Sequence, residues 1–385
     1  MKGPSTIRSM LGWLRLRERA MTRLLGRFVR TESPSFDKTA VDRFARMVAS
    51  EWKRRGATVK LLRQRERGDH VRAEWRPHAN STDGQILVLG HLDTVYDTGT
   101  LARMPFRVAR GRAWGPGTFD MKGGLVIALY AVDALAAAGR LPEKRIVFLW
   151  TADEEIGSES SRGVIEREAK RSEAVLVLEP ASGLDGRVKT SRKGVGEIEL
   201  IVTGRAAHAG LNPEDGINAI EEIALQIARI SRWNQPQRGI NVNAGVIEGG
   251  TRTNVIAERA RTLVDLRAAH AGDMRALERK FRALRPFLAG ARLQVLGGFN
   301  RPPLERKMSA ALYAKARALA NEMGVTLGET FVGGGSDGNF TAALGVPTLD
   351  GMGAVGEGAH SPRENIVVRA LPERAALVAG LLANL

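Results

Sequence analysis

The residues able to do chemistry gather behind short apolar runs. His91 and Asp93 form a His-x-Asp pair directly after the run Gln85–Gly90 (QILVLG). In extended chain, residues i and i+2 share a face, and an imidazole that binds a metal needs an acceptor on its other nitrogen. Asp120 lies in a glycine-dense stretch from Gly115 to Gly124, ahead of an Ala/Leu-rich segment, where an aspartate could equally serve as a helix N-cap. Asp153, Glu154 and Glu155 follow the run RIVFLWT, and Glu179 ends AVLVLE. Adjacent residues in extended chain point opposite ways, so Glu154 and Glu155 are expected to take different tasks. Three neighbouring carboxylates repel one another unless cations or solvent intervene. The sequence holds no cysteine, so any metal must be held by histidine and carboxylate, a donor set typical of hydrolytic centres.

Only six histidines occur. His70, His78 and His270 sit among charged residues or before a turn and are expected to be solvated. His91, His208 and His360 each stand in a glycine-flanked setting and are the candidates. A rival reading comes from Gly334-Gly335-Ser336-Asp337-Gly338, which matches the G-x-S-x-G nucleophile elbow, with Asp350 and His360 following in serine–acid–histidine order. That serine hydrolase would leave His91, Asp120, Glu154, Glu155 and Glu179 without a task. A non-catalytic binding protein on the same fold is the other alternative.

The elements that must position these residues are legible from periodicity. The apolar runs at 85–90, 145–151 and 174–179 suit buried strands, and 122–139 (KGGLVIALYAVDALAAAG) suits a helix ending at glycine. Such alternation predicts a mostly parallel sheet with helices on both faces, and in an open α/β sheet sites assemble at the carboxyl ends of the strands. From about residue 193 the pattern changes. A strand at 197–204, a helix at 217–232, strands at 240–247 and 261–267, a helix at 273–287 and a strand at 292–296 give the β-α-β-β-α-β order of a ferredoxin-like unit. The expected organisation is a discontinuous catalytic domain, 1–192 with 303–385, and an inserted α+β lid or dimerisation domain, 193–302. Leu11, Leu14, Leu16 and Met21 predict one amphipathic N-terminal helix.

Composition narrows the classes. The 385 residues are 43% hydrophobic and 26% charged, as in soluble globular proteins, and no stretch approaches the ~20 consecutive apolar residues of a membrane span. No signal-peptide pattern is seen, so a cytoplasmic protein is expected. The net charge of +16 comes from scattered basic residues without interleaved stacking aromatics, which argues against nucleic acid as a partner.

Taken in order, Gly90 to Val95, Gly115 to Gly124, Asp153 to Ser158, Glu179-Pro180, His208-Ala209-Gly210, Asn254 to Ile256, Gly333 to Asp337 and His360-Ser361 resemble the motifs of the dinuclear-zinc aminoacylase and carboxypeptidase family. The likeness is to the glutamate carboxypeptidase (carboxypeptidase G) type, with acetylornithine deacetylase and succinyl-diaminopimelate desuccinylase as relatives. The resemblance implies two zinc ions, with cobalt or manganese as possible substitutes. One would be held by His91 and Glu179, the other by Glu155 and His360, with Asp120 bridging. It implies Glu154 as general base, Asp93 as the partner of His91, and His208 as a group polarising the scissile carbonyl. Asn254, Arg267, Arg301 and Arg187 would hold substrate. It also implies a small peptide or N-acyl amino acid as substrate, and a homodimer formed through the inserted domain. Glu357 is expected either to orient His360 or to face solvent.

Overall fold

The computed structural model describes residues 6–76 and 82–385; His78 lies outside them. In chain order the first elements are α1 (Thr6–Arg15), α2 (Glu18–Val29), α3 (Lys38–Lys53), β1 (Thr58–Leu62), β2 (His70–Trp75), β3 (Thr82–His91), α4 (Gly123–Ala137), β4 (Lys144–Thr151), α5 (Arg162–Ala169) and β5 (Ala174–Val177). The middle of the chain supplies β6 (Gly194–Thr203), α6 (Ala219–Ser231), β7 (Asn241–Gly249), β8 (Arg259–Ala268), α7 (Ala271–Arg282) and β9 (Arg292–Arg301). It ends with α8 (Ala310–Glu322), α9 (Gly338–Ala343), β10 (Thr348–Leu349) and α10 (Ala370–Asn384).

Two compact units result. The first comprises 1–191, 306–331 and 336–385; the second comprises 192–305 with 332–335. The short segment Val332–Gly335 thus joins the second unit, because the Arg192 guanidinium donates to the carbonyls of Gly334 (3.2 Å) and Gly335 (3.1 Å).

The first unit is built on a six-stranded sheet in the order β1-β2-β4-β3-β5-β10. β4, β3, β5 and β10 run parallel, while β2 and β1 extend the sheet antiparallel. The parallel strands are apolar on both sides because helices cover both faces. Ile86, Val88, Phe148 and Trp150 face one buried cluster; Leu87, Leu89, Val147 and Leu149 face another. On the first face Trp52 of α3 stacks on Phe148 with ring centroids 3.9 Å apart. In the second unit β7-β8-β6-β9 form an antiparallel sheet, with Ile223 and Ile230 of α6 and Leu277 and Phe281 of α7 in its core.

Two local expectations are corrected. The amphipathic N-terminal segment is two helices, broken at Leu16-Arg17, and Leu16 is 84% exposed while Leu11, Leu14 and Met21 are buried. His70 is not solvated. It is fully buried at the start of β2, where its Nδ1 accepts from the Ala152 amide at 3.1 Å, and burial pushes its imidazole below its usual pKa. His270 is exposed before α7, as expected.

Candidate metal centre

The end of β3 carries His91, fully buried, into a loop tied to its neighbours by backbone bonds: the Leu92 amide to the Thr151 carbonyl (2.7 Å) and the Thr94 amide to the Ser33 carbonyl (2.9 Å). His91 Nδ1 lies 3.0 Å from the Asp93 carbonyl and 3.4 Å from its carboxylate Oδ1. With that nitrogen occupied, Nε2 points to Asp120 Oδ1 (3.2 Å) and Glu179 Oε1 (3.3 Å). On the other side of Asp120, His360 Nε2 is 3.2 Å from Asp120 Oδ2 and 3.2 Å from Glu155 Oε2. Two triads, His91/Asp120/Glu179 and Asp120/Glu155/His360, therefore share one carboxylate, and the donor atoms of each lie within 4.8 Å of one another.

Local sequence explains how each donor arrives. Gly90 leaves room for Met121, since a Cβ there would meet Met121 Cε at 2.6 Å. Gly124 lets α4 start against β5, since its Cβ would sit 2.3 Å from the Leu178 carbonyl oxygen. Asp120 is not a helix N-cap: it stands in an irregular turn, Thr118–Lys122, with a cis peptide to Met121, before α4 begins at Gly123. The Asp153-Glu154-Glu155 segment is not extended either. Glu154–Ile156 form a single 3₁₀ turn, and the Asp93 carboxylate fixes it by accepting from the amides of Glu154 (Oδ1, 3.2 Å) and Glu155 (Oδ2, 3.2 Å). Ser35 Oγ donates to Asp93 Oδ2 at 2.8 Å.

The electrostatics call for positive charge. Burial alone would depress the His91 imidazole, yet Asp120, Asp93 and Glu179 hold it well above its usual pKa. His360, bonded to Asp120 and Glu155, is pushed up to about 10. Burial opposes ionisation of Asp120, but the two imidazoles keep its carboxyl well below the usual range, whereas burial raises that of Glu155. The carboxylates around the two imidazoles thus favour positive charge at this place, which cations would supply. Glu155 Oε1 is buried without a hydrogen-bond partner among the described residues. Nitrogen and oxygen donors converging in two threes, with an orphaned carboxylate oxygen, fit divalent metal ions.

The remaining predicted residues fall in several places. His208 and Asn254 meet within the second unit: His208 bridges to Val255, and the Ala209 amide donates to the Asn254 carbonyl at 3.0 Å. Both are exposed. Arg267 on β8 and Arg301 on β9 flank Val195 in register, so one cross-strand row carries both guanidiniums. Arg301 is buried, and Arg267 pairs with Asp265 at 2.8 Å. Arg187, in the first unit, pairs with Asp185 at 3.1 Å. Glu357 pairs with Arg112 and not with His360. Ser336 is fully buried; its Oγ donates to Asp350 and accepts from the Gly338 amide, while His360 faces Asp120 and Glu155. A hydroxyl so enclosed makes a turn, not a nucleophile.

Sequence reasoning missed two braces. Asp337 accepts from Thr151 Oγ (3.1 Å) and Ser158 Oγ, bracketing the turn that carries Glu154 and Glu155. Asp153 Oδ2 accepts from the amide and hydroxyl of Ser160, each at 2.7 Å. The adjacent serine of the Ser336-Asp337 pair drew attention to a nucleophile, when the aspartate was the informative residue.

Comparison with known proteins agrees with this geometry. The family model described as Peptidase family M20/M25/M40 matches residues 87–384. Carboxypeptidase G2 of Pseudomonas sp. (strain RS-16) is 31% identical over 375 residues, covering 95% of this chain and 89% of that protein. Succinyl-diaminopimelate desuccinylase of Dechloromonas aromatica (strain RCB) is 29% identical over 329 residues, covering 77% and 82%. Among solved structures, aminopeptidase PepT from Bacillus cereus ATCC 10987 shares the fold with a TM-score of 0.79 at 22% identity, over 95% of this chain and 98% of that one.

Proposed function

The chain belongs to peptidase family M20/M25/M40, metal-dependent hydrolases of peptide and amide bonds, and on that premise we propose that it is a dinuclear-zinc enzyme cleaving an amide bond next to a free carboxylate. Its substrates are then short peptides or N-acyl amino acids, a class to which the names carboxypeptidase G2 and succinyl-diaminopimelate desuccinylase both point. The observation that carries the reading is the pair of donor triads sharing Asp120.

His91 and Glu179 would hold one ion, Glu155 and His360 the other, and Asp120 would bridge. Cobalt or manganese would suit the same donors. The ions supply activation of a water molecule and polarisation of the scissile carbonyl. Glu154 is the general base: half-buried and next in sequence to a ligand, it takes the proton of the attacking water and delivers it to the leaving amine. Asp93 sets the His91 tautomer and fixes the amides of Glu154 and Glu155. His208 and Asn254 bind the substrate's carbonyl region. Arg267 and Arg301, sharing one row of the sheet, suit bidentate capture of its carboxylate. Arg187, which like Arg267 is paired with a neighbouring aspartate, would hold a further polar group of the substrate. The second unit then acts as lid and dimerisation domain, and the exposure of Val246 and Ile247 on the edge strand β7 supports a homodimer through it.

The test is Glu154→Gln, assayed with zinc against a panel of dipeptides and N-acyl amino acids. Turnover should fall at least ~100-fold, the scale of a lost general base, with metal content unchanged. Turnover near the wild-type rate would remove Glu154 from the mechanism.

A further inference from the structure

The turn that presents His360 and the loop that presents Asp120 are far apart in sequence, yet the sharing of Asp120 requires them to hold a fixed separation. One buried carboxylate spans them. Glu364 is fully buried, and its Oε1 accepts from the amides of Phe119 (2.7 Å) and Asp120 (2.9 Å). Its Oε2 accepts from the Gly117 amide at 3.1 Å and lies against the Tyr96 hydroxyl. Tyr96 Oη is also 3.0 Å from the carbonyl of Ser361, the residue after His360. The backbone repeats the connection, since the Gly115 amide donates to the Glu364 carbonyl at 3.3 Å and Asn365 pairs with Trp114. The Glu364 amide in turn closes on the Ser361 carbonyl at 3.1 Å.

We propose that Glu364, with Tyr96, is a positioning residue that locks the Asp120 loop to the His360 turn and so sets the metal affinity of the shared centre. Three backbone N–H groups converge on this one carboxylate, and all three belong to the segment ending at Asp120, so the carboxylate ties that segment to the turn after His360. A neutral amide of the same shape cannot replace it. One end of the amide still accepts from Phe119 and Asp120, but the other presents N–H to the Gly117 amide, donor against donor.

This inference rests on the proposed metal centre, and the experiment separates the two. Wild-type, Glu364→Gln, Glu364→Ala and Tyr96→Phe proteins are stripped of metal and titrated with Zn²⁺ against a chromophoric chelator. The absorption spectrum of each Co²⁺-loaded protein is recorded, and thermal unfolding of the metal-free proteins controls for folding. Glu364→Gln should bind Zn²⁺ about 10–100-fold more weakly than wild type, the scale seen when a group orienting a ligand is lost. Its Co²⁺ spectrum should be altered, and Tyr96→Phe should show a smaller shift in the same direction. Folded Glu364→Gln and Tyr96→Phe proteins with wild-type affinity and spectrum would overturn the proposal. A wild type that binds no metal would instead overturn the functional reading beneath it. Should Glu364→Ala fail to fold, the two conservative variants still decide.

Discussion

Asp93→Asn changes one atom and tests how the acid-bearing turn is held. In the structure each Asp93 oxygen takes a backbone N–H, Oδ1 from Glu154 and Oδ2 from Glu155, and Oδ2 also takes the Ser35 hydroxyl. The carboxylate is almost fully buried, so water cannot substitute. An asparagine keeps one acceptor and turns the other into a donor facing an N–H. Whichever way the amide flips, one buried N–H is left unpaired, at a cost of about 1–3 kcal/mol. If the amide turns its oxygen toward Glu155 and Ser35, the Glu154 amide is the one orphaned, and Glu154, the proposed base, is then released from its turn. The assay is urea unfolding of the metal-free protein, in parallel with zinc content and kcat. We expect a loss of stability in that range, a fall in kcat of at least ~10-fold and weakened metal binding. Stability within about 0.5 kcal/mol of wild type together with normal turnover would refute the argument, because such a change is ordinary for a surface substitution that touches nothing.

Other outcomes follow from the same geometry. Ser336→Ala removes an acceptor for the Gly338 amide and a donor to Asp350, so it should cost about 1–3 kcal/mol of stability while kcat stays within a few-fold; loss of turnover in a folded protein would revive the nucleophile-elbow reading. Asp69 offers a pH test. Burial alone would raise its carboxyl pKa, but the Gln64 amide, Lys38 and Arg63 hold it below the usual value. A depressed folded-state pKa gives stability that is fully present above the unfolded value of ~3.9 and is lost as pH falls through the folded one. The stability gap between wild type and Asp69→Asn should therefore be constant between pH 5 and 7, to judge from that ~3.9, and shrink below about pH 4. A gap that widens on acidification would contradict the assignment.

Much of this was legible in the residues because apolar runs must be buried. QILVLG, RIVFLWT and AVLVLE can bury only in a sheet covered on both faces, and the acids behind them then fall at its carboxyl edge. The ferredoxin-like order of the second unit was visible for the same reason, as period-two and period-3.6 patterns alternating in a fixed sequence. What escaped was set by contacts remote in sequence. His70 lies in HVRAEW, a strand too polar to look buried, and becomes so because Ala152 and Ser160 complete its hydrogen bonds. Glu364 stands in the charged stretch Ser361–Asn365, where nothing local distinguishes a solvated acid from one that receives three amides from residues 117–120. The break at Leu16-Arg17 was hidden because Leu14 and Met21 keep helical spacing across it.

The central claim is that five side chains hold two ions around one shared carboxylate. Metal content per chain, measured by elemental analysis for wild type, His91→Ala and His360→Ala after zinc loading, tests it most directly. Two ions per chain are expected in the wild type and about one in each variant, since each histidine belongs to a different triad. A wild type holding no stoichiometric metal, or two histidine variants that both keep two ions, would contradict it.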